Sequence, residues 1–121
     1  MQTVFEAARD LLRGGGTGVL ALVLERSGSA PRGQGAKMLI RADGTIFDTI
    51  GGGPVEWSVI RHAPQVLSSQ ETQVMTFDLS GTDSLRDEAI CGGGITACLH
   101  PLTAADLPAL EGACQALSAR K

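Results

Sequence analysis

The sequence predicts a single domain of the α/β type, in the α+β class, with about three helices packed on a mixed sheet of about five strands. The length of 121 residues fits one domain, which we assign to residues 1–121. Segments with helical spacing of apolar residues interleave along the chain with short runs of strand-forming residues. An Asp-Gly turn between two of these runs requires antiparallel pairing, so we expect a mixed sheet with helices packed on it.

The first two elements are predicted to be a helix and a buried strand. Apolar residues recur with helical spacing from residue 4 to residue 12, and Thr3 with Glu6 forms a capping-box pair. Three glycines at 14–16 then end the helix. The run at 18–25 is almost continuously apolar between turn signals, which predicts a strand buried on both faces.

The middle of the chain predicts a hairpin and a second helix. We expect strands at 37–41 and 45–50, on either side of the turn that contains Asp43 and Gly44. The second helix is expected from Pro54 to about residue 68, with Pro64 kinking it or ending it early.

The last third of the chain predicts two strands and a helix. Strand-forming residues fill 72–79 and 95–99. A final helix is expected at about 104–119, with its start capped by either Thr103 or Asp106.

Composition excludes some classes of function. The net charge of −3 and the single Trp, absent Tyr and three Phe leave little to attract or stack nucleic acid. No apolar run approaches the roughly 18 residues of a membrane span, and the N-terminus lacks the pattern of a secretory signal. Three cysteines cannot all pair internally, which favours a reducing compartment. We therefore expect a cytoplasmic protein that binds neither nucleic acid nor a membrane.

The triplet Gly51-Gly52-Gly53, followed by Pro54, is typical of a bare turn that leads into a helix. Such a turn lets backbone N–H groups approach an anion closely and directs the positive end of the helix dipole at it. Glu56 falls in the first turn of the helix. It serves either the helix dipole or the recognition of N–H groups on a ligand.

A second glycine-rich segment follows the first strand and contains Ser29, Arg32, Gly35 and Lys37. It does not satisfy the P-loop pattern, and it leads to a strand instead of the helix that a dinucleotide fingerprint requires. Its hydroxyls, cations and mobile backbone suit a phosphate or another polyanion. The alternative is a long connection whose charges are simply solvated.

A third segment begins with Cys91 and continues with Gly92 and Gly93. A thiol beside bare backbone is accessible, and a thiolate there would act as a soft metal ligand, a nucleophile or a sulfur carrier. The alternative is a small buried residue at the start of a strand. Cys98 and Cys114 are predicted core residues, and the two histidines, His62 and His100, are predicted to be structural or on the surface.

These blocks, taken in order, resemble the xanthine dehydrogenase accessory family, also called the XdhC/CoxI family. The resemblance rests on Gly28-Ser29-Ala30-Pro31-Arg32 with Gly35-Ala36-Lys37-Met38, Asp43-Gly44-Thr45, Gly51-Gly52-Gly53 with Val55-Glu56, and Cys91-Gly92-Gly93. It implies a chaperone without turnover of its own that binds molybdenum cofactor. The family passes this cargo to a molybdenum hydroxylase, such as xanthine or carbon monoxide dehydrogenase, after sulfuration with the help of a cysteine desulfurase. The resemblance also implies a homodimer.

For the site, the resemblance implies that Arg32, Lys37 and backbone amides hold the cofactor's phosphate. The amides belong to the three glycine blocks, at Gly35, Gly51, Gly52, Gly53, Gly92 and Gly93, with Ser29 beside them. Glu56 would meet the pterin, and Cys91 would contact molybdenum. Two departures from the family pattern are Pro54, where members commonly carry cysteine, and the absence of a C-terminal Rossmann-type domain before Lys121.

Two alternative functions stay open at this stage. The first is a thiol-dependent sulfur-transfer enzyme that uses Cys91 as its thiolate. The second is a non-catalytic interaction module that docks onto a larger maturation protein.

Overall fold

The computed structural model describes residues 2–27, 35–51, 53–78 and 94–119. It confirms an α+β domain of five strands and three helices. The elements are α1 (Val4–Arg13), β1 (Gly18–Ser27), β2 (Lys37–Arg41), β3 (Ile46–Phe47), α2 (Gly53–Ser69), β4 (Gln73–Asp78), β5 (Gly94–Pro101), a 3₁₀ turn (Ala104–Asp106) and α3 (Leu107–Ala119). None of the helices in this part of the chain is long and apolar enough to cross a membrane.

The strand order is β3-β2-β1-β5-β4, and every pairing among the described residues is antiparallel. The expectation of a mixed sheet was therefore wrong in strand direction. The sheet has no parallel pair among the described residues because α2 carries the chain from one edge of the sheet to the other. It connects two strands that run the same way, β3 and β4, but these form opposite edges of the sheet and never pair.

The sheet carries helices on both faces, and β1 is buried between the two layers. Val19, Ala21 and Val23 pack into a core beneath α2, whereas Leu20 packs into a second core with α1 and α3. Burial on both faces is thus confirmed for the first part of the strand. This two-sided burial stops at Leu24, which is 47% exposed.

The helix signals were largely correct. The Glu6 backbone N–H donates to the Thr3 hydroxyl over 3.1 Å, and the Thr3 N–H donates to the Glu6 carboxylate over 2.8 Å, which confirms the capping box. Of the two effects predicted for Pro64, a kink or an early end of α2, the early end was wrong, because the helix continues to Ser69. Its inner face is buried on either side of the proline, and this packing offsets the lost hydrogen bond.

The Asp-Gly hairpin is also confirmed, although its second strand is short. Gly44 has φ 92°, and the Asp43 carboxylate accepts bonds from both the hydroxyl and the backbone N–H of Thr45. These bonds lower the pKa of Asp43. Strand β3 stops at Phe47 because Asp48 adopts a left-handed conformation, with φ 67°.

Burial in the second core predicts a large stability effect at Leu39, which is 0% exposed. Leu39→Ala should lower the free energy of unfolding by about 2–5 kcal/mol, since it removes buried methyl groups and leaves a cavity. Leu117→Ala, at a position 37% exposed in α3, is the control and should change stability by less than about 0.5 kcal/mol. Urea denaturation measures both; equal effects would contradict the assigned core.

Candidate functional site

Alternation of strand direction brings residues that flank the glycine-rich segments toward one end of the sheet. Ser27, at the end of β1, pairs with Gly94, at the start of β5, and Asp78, at the end of β4, pairs with the same Gly94. Strand β2 runs away from this end and begins with Lys37, which lies opposite Leu22, five residues short of Ser27. Strand β3 runs toward this end, and the chain then enters α2 at Gly53. We call it the glycine end, because each of the three glycine-rich segments starts or finishes there.

Only part of the predicted site can be described. Ser29, Arg32, Gly52, Cys91, Gly92 and Gly93 lie outside the described residues. Gly35, Lys37, Gly51, Gly53 and Glu56 lie inside them. Gly51, Gly53 and Glu56 belong to the turn into α2, whereas Gly35 and Lys37 lie where the chain enters β2, beside Val23 and Leu22.

The turn into α2 has the backbone geometry that its glycines predicted. Gly51 has φ 130° and Gly53 has φ 74°, and residues that carry a Cβ rarely adopt these backbone angles. Apart from its chain neighbours and the backbone of its own helix, no atom of the described residues lies within 4 Å of the point where a Cβ on Gly53 would stand. Among these residues, the backbone at the start of α2 is open. An open helix start of this kind leaves room for an anionic group to approach the first N–H groups.

Thr49 organises the turn, and sequence reasoning missed it. Its hydroxyl donates to the Glu56 carboxylate and accepts the Gly51 N–H over 3.0 Å. Glu56 is thereby held half-buried beside the glycine turn. A Thr two residues before a glycine is the available signal, since hydroxyls often bond backbone N–H groups two residues on.

The carboxylate and the open helix start complement two parts of a ligand. Glu56 can accept bonds from ligand N–H groups, whereas the helix N-terminus favours negative charge. A molecule that carries both an amide-like edge and an anionic group fits this pair of neighbours.

Lys37 lies on the opposite face of the sheet from Glu56. Its ammonium donates to the Gly35 carbonyl over 2.7 Å and lies 5.4 Å from the centre of the Phe5 ring in α1. Glu56 belongs to α2, which covers the other face. The structure therefore brings Lys37 and Gly35 together, but it does not bring Lys37 to Glu56.

Two cysteines and one histidine that the sequence singled out lie in positions that suit structural roles. Cys114 is buried in α3, and Cys98 is half-buried in β5, where burial raises the pKa of its thiol. His100 lies toward the far end of the sheet, where its ring bonds Thr72 over 2.8 Å and Asp106 over 3.1 Å. Across the described ranges, no group of three or more His, Cys, Asp or Glu side chains could hold a metal ion.

Comparison with known proteins identifies the class. The sequence model of the XdhC and CoxI family matches residues 11–78, more than half of the chain. This protein belongs to that family, as the glycine blocks predicted. The matched region runs from α1 to the end of β4, and it includes the first two glycine-rich segments.

Two proteins of Escherichia coli are similar to this chain in sequence. The molybdenum cofactor insertion chaperone PaoD of Escherichia coli is 32% identical over 104 residues, covering 86% of this chain and 32% of PaoD. The uncharacterized protein YqeB of the same organism is 37% identical over 79 residues, covering 64% of this chain and 14% of YqeB.

A solved structure supports the fold. The crystal structure of a protein described as a xanthine dehydrogenase from Bacillus halodurans superimposes with a TM-score of 0.78 at 28% identity, covering 98% of this chain and 36% of that one. The chain thus spans between 14% and 36% of the length of these relatives.

The geometry of the turn generates a matched pair of predictions. Gly53→Ala should destabilise the protein by about 1–2 kcal/mol, because its φ of 74° disfavours a Cβ although no atom blocks one. Gly112→Ala should stabilise it by about 0.5–1 kcal/mol, because that glycine lies inside α3 with open space around it. Thermal and urea unfolding of both variants measure the effects; stabilisation by Gly53→Ala would contradict the left-handed turn.

Proposed function

We propose that this chain binds molybdenum cofactor as cargo and assists its insertion into a molybdenum hydroxylase. The observation that carries the proposal is the similarity to PaoD, named as a molybdenum cofactor insertion chaperone, which extends over 86% of the chain. Membership of the XdhC and CoxI family supports it.

The arrangement of the glycine end supports a cargo site there. We assign the ligand's phosphate to backbone N–H groups of the glycine blocks, at Gly51–53 and at Gly92 and Gly93, with Ser29 and Arg32. Glu56, held by the Thr49 hydroxyl, would accept N–H groups on the pterin edge. Cys91 would contact the metal end, since a thiolate is a soft ligand.

Lys37 and Gly35 need a separate assignment, because they lie on the α1 side of the sheet. We propose that they hold a part of the cargo distant from Glu56, beside Leu22 and Val23 of β1. The cofactor supplies molybdenum and its dithiolene when bound, and the protein's own groups hold, orient and shield it.

The finer features are part of the same proposal. We expect a client of the xanthine or carbon monoxide dehydrogenase type, sulfuration with a cysteine desulfurase, a cytoplasmic location and a homodimer. The sulfur-transfer alternative depends on Cys91, which lies outside the described residues, and no observation on the described part of the chain favours it.

Cofactor retention tests the proposal. We expect the purified protein, mixed with molybdenum cofactor under anaerobic conditions, to elute with bound molybdenum and pterin on gel filtration. Glu56→Gln should raise the Kd for the cofactor at least about tenfold, since a charged hydrogen bond contributes about 1.5–3 kcal/mol. Cys91→Ser should reduce retained molybdenum more than retained pterin.

The control variant is Glu111→Gln. Glu111 pairs with Arg13 over 2.9 Å between α3 and α1, away from the glycine turn. The Glu111→Gln substitution removes one carboxylate charge, as Glu56→Gln does, and it should leave the retention of cofactor unchanged. Failure of the wild-type protein to retain cofactor, or equal loss in both glutamate variants, would overturn the proposal.

A further inference from the structure

The two edges of the sheet are protected very differently. Edge strand β3 has two residues, and such short strands offer little backbone for another strand to pair with. Edge strand β4 has six residues, Gln73–Asp78, with no proline or lysine among them. Its pairing with β5 is regular from Gln73 to Asp78, without a bulge. Within the described part of the chain, β4 is thus an unprotected edge.

The solvent-facing side of β4 presents two exposed β-branched residues. Val74 is 62% exposed, and Thr76 on the same face is exposed as well. Both are β-branched residues, which favour pairing with similar residues on a neighbouring strand. Exposed residues of this kind on a free edge are suited to an added strand.

A groove of about 320 Å³ lies beside this edge, between β4 and the flank of α2. Its floor includes Met75 and Phe77, which are 8% and 7% exposed. Its wall includes Trp57, 59% exposed, with the Arg61 guanidinium 4.5 Å from the ring centre. Exposed Trp and Arg side chains are the residue types that most often dominate protein–protein binding energy.

The basic residues of the groove favour an acidic binding partner. Arg61 and His62 line it, and no Asp or Glu is among its described lining residues. The protein as a whole carries a net charge of −3, so this is a local cationic feature on an acidic molecule. An acidic side chain with an aliphatic stem would place its methylenes on Met75 and Trp57 and its carboxylate near Arg61.

We propose that β4 and this groove dock an extended segment of another protein by strand addition. The added strand pairs with the backbone of β4. Alternate side chains opposite Met75 and Phe77 enter the groove, and those between them pair with Val74 and Thr76. The recognised segment therefore alternates apolar β-branched residues with acidic ones. This inference does not rest on cofactor binding, which we assign to the glycine end.

Peptide binding to the full chain tests the inference. The probe is a fluorescently labelled peptide, Thr-Val-Glu-Val-Glu-Val-Thr, and its counterpart carries lysine in place of both glutamates. At about 0.15 M salt, where long-range attraction is largely screened, we expect saturable binding of the acidic peptide and at least about tenfold weaker binding of the basic one. Amide chemical shifts should change in residues 73–78.

Two variants with matched controls identify the surface. Arg61→Glu should weaken the acidic peptide at least about tenfold, whereas Arg41→Glu, which makes the same charge change beside a different groove, should not. Val74→Lys should weaken binding although its added charge attracts the peptide, and Ile46→Lys on the other edge should not. All four positions are at least partly exposed, so circular dichroism should show folded variants.

Three results would overturn the inference. The first is no saturable binding of the acidic peptide up to about 1 mM. The second is binding unchanged by Arg61→Glu and Val74→Lys. The third is a wild-type dimer in sedimentation velocity that Val74→Lys converts to monomer and Ile46→Lys does not, because a second copy would then occupy the edge. Cofactor retention is measured separately, so failure here leaves the proposed function intact.

Discussion

Burial of β1 on both faces is the constraint on which the rest of the structure depends. The strand pairs with β2 on one side and β5 on the other, and its alternate side chains enter two different cores. A strand in that position forces helices onto both faces of the sheet, because each apolar face must be covered. Antiparallel pairing then brings the end of β1, the start of β5 and the end of β4 together at the glycine end.

This arrangement gives the glycine end two sides with different chemistry. On the α2 side lie the left-handed glycine turn, Thr49 and Glu56; on the α1 side lie Lys37 and Gly35. A cargo held by both sides must reach across the end of the sheet. The docking surface that we propose at β4 and α2 adjoins this end and shares Asp78 with it, whereas Thr49 and Glu56 do not line its groove.

Much of the fold could be predicted because its signals are local. The Thr3–Glu6 capping box, the Asp43-Gly44 turn and the glycine turn before α2 each require particular residue types at neighbouring positions, and all three are confirmed. Strand direction could not be predicted, since β3 and β4 run alike yet lie at opposite edges. The role of Thr49 was missed because its partner Glu56 is brought near only by the turn between them.

The sequence by itself determined the family, through the order and spacing of its glycine blocks, and it determined most helices and strands, through periodicity and turn chemistry. These features depend on residues that are close in the sequence, so the sequence is sufficient to predict them. Tertiary structure alone decided which candidates share a face, placing Lys37 apart from Glu56. It also decided which long strand, β4, forms an edge of the sheet among the described residues. Both depend on strand order, which follows from burying two apolar faces at once and has no local signal.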